Sequence, residues 1–193
     1  MKVNLTIGIP SWLDRICAWP MMVYRKWKYG YTYRRIYLGE GKWAKVDEDI
    51  YYKFGSMKWC AVGDEGKKYA ARIVEEANSR RIKTEYLHRK IMDPPEGLLV
   101  DHKNGERLDD RLDNLRLATH SQNACNSRRD KTKTLSRYRG VSYSKRKGKW
   151  FAAIRNKGKK VWLGYFDNQI DAAKAYDDAV KKYQPEFGVM NFA

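Results

Sequence analysis

The sequence predicts an α+β protein built in two parts, and three observations carry that prediction. Residues 97–127 read as strand, long loop, strand, helix. Residues 138–193 read as three short strands followed by one amphipathic helix. The segment "NSRRDKTKTLSR" at 126–137 is polar, basic and poor in apolar residues, which is the composition of a linker.

Taken in order, residues 1–45 are rich in aromatic and basic side chains. "YRKWKYGYTYRRIYLGEGKWAKVD" alternates enough to predict short strands. Its charge suits either a nucleic-acid contact or a solvated basic surface. Further strands are expected around Lys58–Val62 and Tyr69–Ile73. "EYLHRKIMDPPEG" follows, with Pro94, Pro95 and Gly97 marking a turn. Gly97 through His102 reads as a strand, Asn104–Gly105 as a tight turn and Leu115–Thr119 as a second strand. Thr119 and Gln122 have the spacing of a capping box, which opens a helix and places Asn123 near its first turn. This order brings Asp101, on one element, near Asn123 on another.

In the last block, "YRGVSY", "KWFAAIRN" and "KKVWLGYF" are strand-like, separated by turns at Lys147–Gly148 and Lys157–Gly158. "DNQIDAAKAYDDAVKKY" has apolar residues at 172/173, 176, 179/180 and 183, the spacing of an amphipathic helix. Asn168 with Asp171 three residues on supplies its N-terminal cap.

Lys and Arg number 40 against 23 acids, a net charge of +17, and that excess calls for a polyanionic partner. No run approaches the roughly 18 apolar residues that span a bilayer, so nucleic acid is the stronger choice over a membrane surface. Asp14 and Arg15 interrupt the apolar residues of the N-terminus, which is therefore not read as a signal peptide, and no secretion is expected. Cys17, Cys60 and Cys125 lie far apart, which argues against a disulfide framework or a cysteine-rich zinc site and suits a reducing intracellular compartment.

The chemistry concentrates in "VDHKNGERLDDRLDNLRLATHSQN". Asp101 and Asn123 offer two oxygen ligands with open positions, which suits Mg²⁺ or Mn²⁺. His102, with an intrinsic pKa of about 6.5, can act as general base on a water. Asn114 can hydrogen-bond across the loop and hold the histidine's orientation. The same residues would serve equally as helix caps, turn formers and an ordinary polar loop residue, and composition does not choose between the two readings.

The motifs "LHRKIM" and "DHKNGERLDDRLDNLRLATHSQN" together resemble the ββα-metal core of HNH endonucleases, over about residues 86–127. The variant is the one in which Asp-His replaces the first His and Asn the last, as in phage and bacterial homing-type members. The resemblance implies that His102 is the general base, that Asp101 and Asn123 bind a single Mg²⁺ or Mn²⁺, and that Asn114 steadies the loop. His88 and Arg89, in the segment ahead of the core, are candidates for a phosphate or active-site contact. Ser127 stands where histidine-rich members carry a further His, so a tight zinc site is not expected. His120 reads as a solvent-facing residue at the helix start. Arg107, Arg111 and Arg116 alternate with Asp109, Asp110 and Asp113, and intra-loop ion pairs account for most of them.

Eight basic residues and no acid lie between Lys145 and Lys160. Strand parity puts Trp150, Ala152, Ile154, Val161 and Leu163 on the side facing the helix, and Phe151, Ala153, Arg155, Lys160 and Trp162 on the other. "YRGV", "KWFAAIR", "VWLGYFDNQIDAAKAYD" and the closing "NF" resemble the APETALA2/ethylene-response-factor DNA-binding domain across nearly all of 138–193. That resemblance implies a three-stranded antiparallel sheet in the major groove, contacted through Arg139, Arg155, Lys160 and Trp162. Plant members usually have Arg, Glu and Arg where this chain has Ser142, Ala153 and Lys160, so their recognition sequence does not carry over.

The expected organisation is an aromatic and basic region at 1–45, a nuclease region at 46–127, a basic linker at 128–137 and a DNA-binding domain at 138–193. The expected function is a metal-dependent DNA endonuclease acting as a monomer on double-stranded DNA, with no membrane partner and no small-molecule cofactor. Its home is the cytoplasm or nucleoid of a bacterial host. Two rivals remain: a DNA-binding regulator with a silent nuclease core, and a nuclease acting on RNA or on any DNA without preference.

Overall fold

Helices and antiparallel sheets alternate along a chain whose computed structural model describes residues 11–75, 82–126, 135–156 and 158–192. Ser127, Lys157 and most of the expected linker at 128–137 lie outside them. The chain divides into two units. One comprises residues 1–93 with 106–115, the other residues 94–105 with 116–193.

The first unit opens with α1 (Ser11–Tyr29), whose last residues, 24–29, fall in the stretch where alternation predicts short strands. Asp14, Ala18 and Arg25 supply the reason, since their spacing of four and seven residues places them on one face of a helix. Asp14 accepts hydrogen bonds from Arg34 (2.6 Å) and the Tyr52 hydroxyl (2.7 Å). Ala18 is buried, and the Arg25 guanidinium lies 4.1 Å over the Tyr33 ring. Alternation among aromatic and basic residues misleads here because both types sit on exposed faces of either element. The outer side of α1 carries the exposed Trp12, Ile16, Trp19, Val23 and Trp27.

The expected strands appear only at β1 (Arg34–Tyr37) and β2 (Trp43–Val46), an antiparallel hairpin. After α2 (Glu48–Phe54), strands β3 (Cys60–Val62), β4 (Tyr69–Glu75) and β5 (Ile82–Tyr86) form an antiparallel sheet in that order. β3 and β4 match the two strands expected from the sequence. The short helix α3 (Leu87–Met92) completes the set. Ile36, Leu38, Ala44, Val46, Phe54, Trp59, Ala70 and Leu87 form its core. The loop 106–115 adds along β2. Lys45 N–H donates to the Leu108 carbonyl (2.7 Å), and Asp110 N–H donates to the Lys45 carbonyl (2.8 Å).

In the second unit, β6 (Leu99–His102) pairs with β7 (Leu115–Ala118), and α4 (His120–Asn126) follows and packs against β6. The capping box forms as expected: Thr119 N–H donates to Gln122 Oε1 (2.8 Å), and Gln122 N–H to Thr119 Oγ1 (3.3 Å). The chain then builds β8 (Val141–Ser144), β9 (Lys149–Asn156) and β10 (Lys159–Phe166), an antiparallel sheet with β9 central. α5 (Gln169–Tyr183) packs across one face, and Asn168 caps it by accepting from Asp171 N–H (2.9 Å). Val141, Ala152, Ile154, Ala172, Ala173, Tyr176, Ala179 and Val180 form this core, with Trp150 packed at its margin.

Gly140 has φ +71°, and a Cβ there would stand 1.9 Å from a Tyr176 ring carbon, so only glycine lets the ring close over the backbone. The C-terminal "NF" is a clip. Asp177 accepts from the backbone N–H of Asn191 (2.8 Å) and Phe192 (2.9 Å), while Asn191 Oδ1 accepts from Arg139 N–H (2.6 Å).

Candidate nuclease site and nucleic-acid interface

Asp101 and His102 end β6, and both are buried, at 5% exposure each. The residue that meets them from α4 is Asn126, one turn beyond the expected Asn123. Asn126 Nδ2 donates to Asp101 Oδ1 (2.9 Å) and Oδ2 (3.0 Å) and to the His102 carbonyl (2.7 Å). A buried amide that bonds one residue's carboxylate and its neighbour's carbonyl fixes the end of the strand against the helix. Asn123 is half-buried and its side chain makes no hydrogen bond among the described residues. Its amide oxygen is therefore not committed to them.

Arg116, on β7, grips Asp101 from the other side. Its Nε and Nη2 lie 2.8 and 2.7 Å from Asp101 Oδ2. Of the three alternating arginines, only Arg111 makes the expected pair within the loop, a two-pronged contact with Asp109 at 2.7 and 2.8 Å. Arg107 instead lies 4.8 Å over the Tyr69 ring. Neither Asn126 nor Arg116 was legible as a site residue, because Asn after a capped helix start and Arg within an acidic loop are ordinary surface patterns. The signal was the second Asn of "NACN", one helical turn from the first.

In the first unit, Asn114 is buried in a short 3-10 turn and its Nδ2 donates to the Asp109 carbonyl (2.7 Å), which braces the loop. His88 is buried at 7% exposure on α3, between the rings of Tyr69 (centroids 5.2 Å apart) and Tyr86 (5.7 Å). A His88 ring nitrogen and an Asp110 carboxylate oxygen lie within 4.8 Å of each other. Arg89 is exposed, and so is His120 in the second unit, where a solvent-facing helix start was expected.

The strand parity of the C-terminal sheet holds. Arg155 and Lys160 are cross-strand partners on the face turned away from α5, as are Ala153 and Trp162. Phe151 stacks on Trp162 with centroids 4.9 Å apart and 23° between planes. Tyr165 joins them edge-on to Trp162, also at 4.9 Å. The register shift between Trp162 and Gly164 is a bulge, and it turns Tyr165 onto this face while Phe166 packs inward. Trp162 and Tyr165 remain 47% and 44% exposed. Like charges directly opposite each other on a sheet repel, and a polyanion laid over Arg155 and Lys160 relieves that cost. Arg139 is placed differently: its guanidinium donates to the Cys125 carbonyl (2.9 Å) at the end of α4.

A strand pair closed by a short helix around an Asp-His step, a ββα arrangement, is followed by a sheet with one aromatic and cationic face. The comparisons agree: residues 93–125 match the HNH endonuclease family, and residues 136–184 match the AP2 domain. Two segments of the chain, in that order, are therefore similar to the HNH endonuclease family and to the AP2 domain.

Among curated relatives, the chain is 42% identical over 72 residues to the AP2-like ethylene-responsive transcription factor TOE2 of Arabidopsis thaliana, covering 37% of this chain and 15% of that protein. It is 39% identical over 66 residues to Protein 3.8 of Escherichia phage T7, covering 34% of this chain and 54% of the phage protein. It is 42% identical over 57 residues to the AP2/ERF and B3 domain-containing transcription factor RAV1 of Arabidopsis thaliana, covering 30% and 16%. The matched segments thus span between about a seventh and about half of these relatives' lengths. Among the described residues, no helix is long and apolar enough to cross a membrane.

Proposed function

We propose that the protein is a metal-dependent DNA endonuclease of the homing type, in which the AP2 sheet positions duplex DNA and the HNH core hydrolyses a phosphodiester bond. The observation that carries this reading is the joining of Asp101 and His102, consecutive and buried at the end of β6, to the helix α4 through Asn126. An oxygen-only donor set, the Asp101 carboxylate and the Asn123 amide, fits a hard divalent cation such as Mg²⁺ or Mn²⁺. When bound, such an ion stabilises negative charge on the leaving oxygen.

The chain's own residues do the rest. His102 accepts a proton from the attacking water as the water oxygen bonds to phosphorus. The bond from phosphorus to the 3′-oxygen breaks, and that oxygen takes up a proton. The products carry 5′-phosphate and 3′-hydroxyl ends. Asn114 steadies the loop, and His88 with Arg89 supplies phosphate or active-site contacts. Arg155, Lys160 and Trp162 present the reading face, and Arg139 joins them as a further DNA contact when the duplex is engaged. A single site in a monomer favours a nick in one strand.

The test is incubation of supercoiled and linear duplex DNA, including DNA from the source organism, with Mg²⁺, Mn²⁺ or EDTA, beside His102→Ala. Metal-dependent nicking that falls by about 10²–10⁴-fold in the variant supports the assignment. Binding without cleavage under every metal condition refutes it and leaves a DNA-binding protein with a silent core.

A further inference from the structure

Arg116 joins the Asp101 carboxylate to the segment that follows α5. One edge of its guanidinium, Nε and Nη2, is on Asp101 Oδ2 at 2.8 and 2.7 Å. The other edge donates through Nη1 to the Glu186 carbonyl. The flat face lies over the Phe187 ring, with Cζ 4.0 Å from the centroid. All three ways in which a guanidinium is recognised (fork, single bond and π face) are used at once, so its position is over-determined. The side chain is 17% exposed, which limits screening of the pair by water.

The segment that holds Arg116 is tied to the DNA-facing sheet. Gln184 Nε2 donates to the carbonyl of Arg155, whose side chain stands on the reading face of β9. Gly188 N–H donates to the Gln184 carbonyl (2.8 Å), so residues 184–188 form a closed turn that presents Glu186 and Phe187. This turn and α4 line one cavity of about 430 Å³, to which Thr119, Gln122, Cys125, Arg155 and Phe187 contribute. A path of direct contacts therefore runs from the backbone of a DNA-facing strand, through Gln184 and the 184–188 turn, to Arg116 and Asp101.

We propose that Arg116 is a positioning residue that fixes the Asp101 carboxylate and supplies its counter-charge, and that the Glu186–Phe187 turn sets how firmly Arg116 does so, linking the reader to the metal-binding carboxylate. The part that concerns metal rests on the nuclease reading. A divalent ion arriving at Asp101 meets the fixed positive charge of Arg116, so the same contact that orders the carboxylate also weakens metal binding there. The reader reaches the site through the turn that carries Arg116.

Two measurements on the full chain test this. The first is metal-free. The Arg116 side-chain Nε–Hε resonance, followed by NMR, should be displaced by the Phe187 ring current and slow to exchange. Phe187→Ala should remove the displacement and speed exchange by at least about tenfold, while leaving DNA binding in a band-shift assay unchanged. Exchange unaltered by Phe187→Ala overturns the linkage.

The second is Mn²⁺ affinity from electron paramagnetic resonance. Arg116→Gln should bind Mn²⁺ at least about tenfold more tightly, the lower bound set by one unit charge acting on a divalent ion across about 5 Å with full water screening. Arg116→Lys, which keeps the charge without the fork, should stay within about threefold of the parent. A purely structural loss would weaken binding in both variants, and equal affinity in the parent and Arg116→Gln overturns the counter-charge role. Failure of the parent to bind Mn²⁺ or cleave DNA would remove the nuclease reading and the counter-charge role, and the NMR experiment would still decide the linkage.

Discussion

Replacing Asn126 with Ala removes the amide that joins α4 to the end of β6. Its Nδ2 has two hydrogens, one shared between the Asp101 oxygens and one on the His102 carbonyl, with contacts of 2.7–3.0 Å. A hydrogen bond to a charged acceptor contributes about 1.5–3 kcal/mol, and one to a backbone carbonyl about 1 kcal/mol. Asn126 is buried, so water cannot freely replace the lost donor. The expected destabilisation is about 3 kcal/mol. In a chain of this length about 1 kcal/mol lowers Tm by roughly 2–4 °C, so the melting transition should fall by about 6–12 °C. Differential scanning calorimetry on the metal-free protein measures this, and catalysis does not enter. Asn126→Asp should be worse still, because it sets a second carboxylate against Asp101. If Asn126→Ala melts within about 1 °C of the parent, the amide does not hold the site together and the geometric basis for the nuclease reading is lost.

Three further outcomes follow from the same structure. Gly140→Ala forces a Cβ into the Tyr176 ring at positive φ, and urea unfolding should show a loss of about 2–4 kcal/mol, combining overpacking with backbone strain. Lys160→Ala should make DNA binding less salt-sensitive, reducing the slope of log K against log salt by about 0.9 if its ammonium neutralises one phosphate; an unchanged slope removes it from the interface. Acid should destabilise the first unit. The Tyr52 hydroxyl and Arg34 hold the Asp14 carboxyl below its ordinary 3.8, while at Glu85 burial pushes upward but Lys90 and Arg72 outweigh it and hold the group below 4.5. Both folded values lie below the unfolded ones, so their stabilisation is present above about pH 4.5 and is lost as pH falls through the depressed values. Asp14→Asn with Glu85→Gln should flatten that acid limb, and a limb equally steep in the double variant would assign it to other carboxylates.

The AP2 sheet shows how far pattern alone reaches. Val161, Trp162 and Leu163 alternate in and out as parity requires, because a strand has a fixed period of two. Parity then fails at Gly164, where the bulge turns Tyr165 outward onto Trp162. A glycine in a strand hinted at that break, but its direction depends on which neighbours take the register shift. At the other end of the chain, residues 24–29 are helical where alternation predicts strand, because exposed aromatic and basic residues satisfy a strand and a helix equally. Only the partners of Asp14 and Arg25, residues Arg34, Tyr52 and Tyr33, select the helix.

By itself, the sequence determined the α+β class, the ββα order around Asp101 and His102, the capping boxes at Thr119 and Asn168, and the cationic outer face of the C-terminal sheet. These are local properties, set by periodicity, turn residues and side chains within a few positions of one another. Tertiary structure alone decided that Asn126 is what reaches Asp101, that Arg116 leaves its acidic loop for that carboxylate, and that Arg139 bonds the end of α4. Each of those contacts joins residues 14 to 25 positions apart. Their partners are chosen by the packing of strands and helices, and that packing sums many weak apolar contacts that no short motif records.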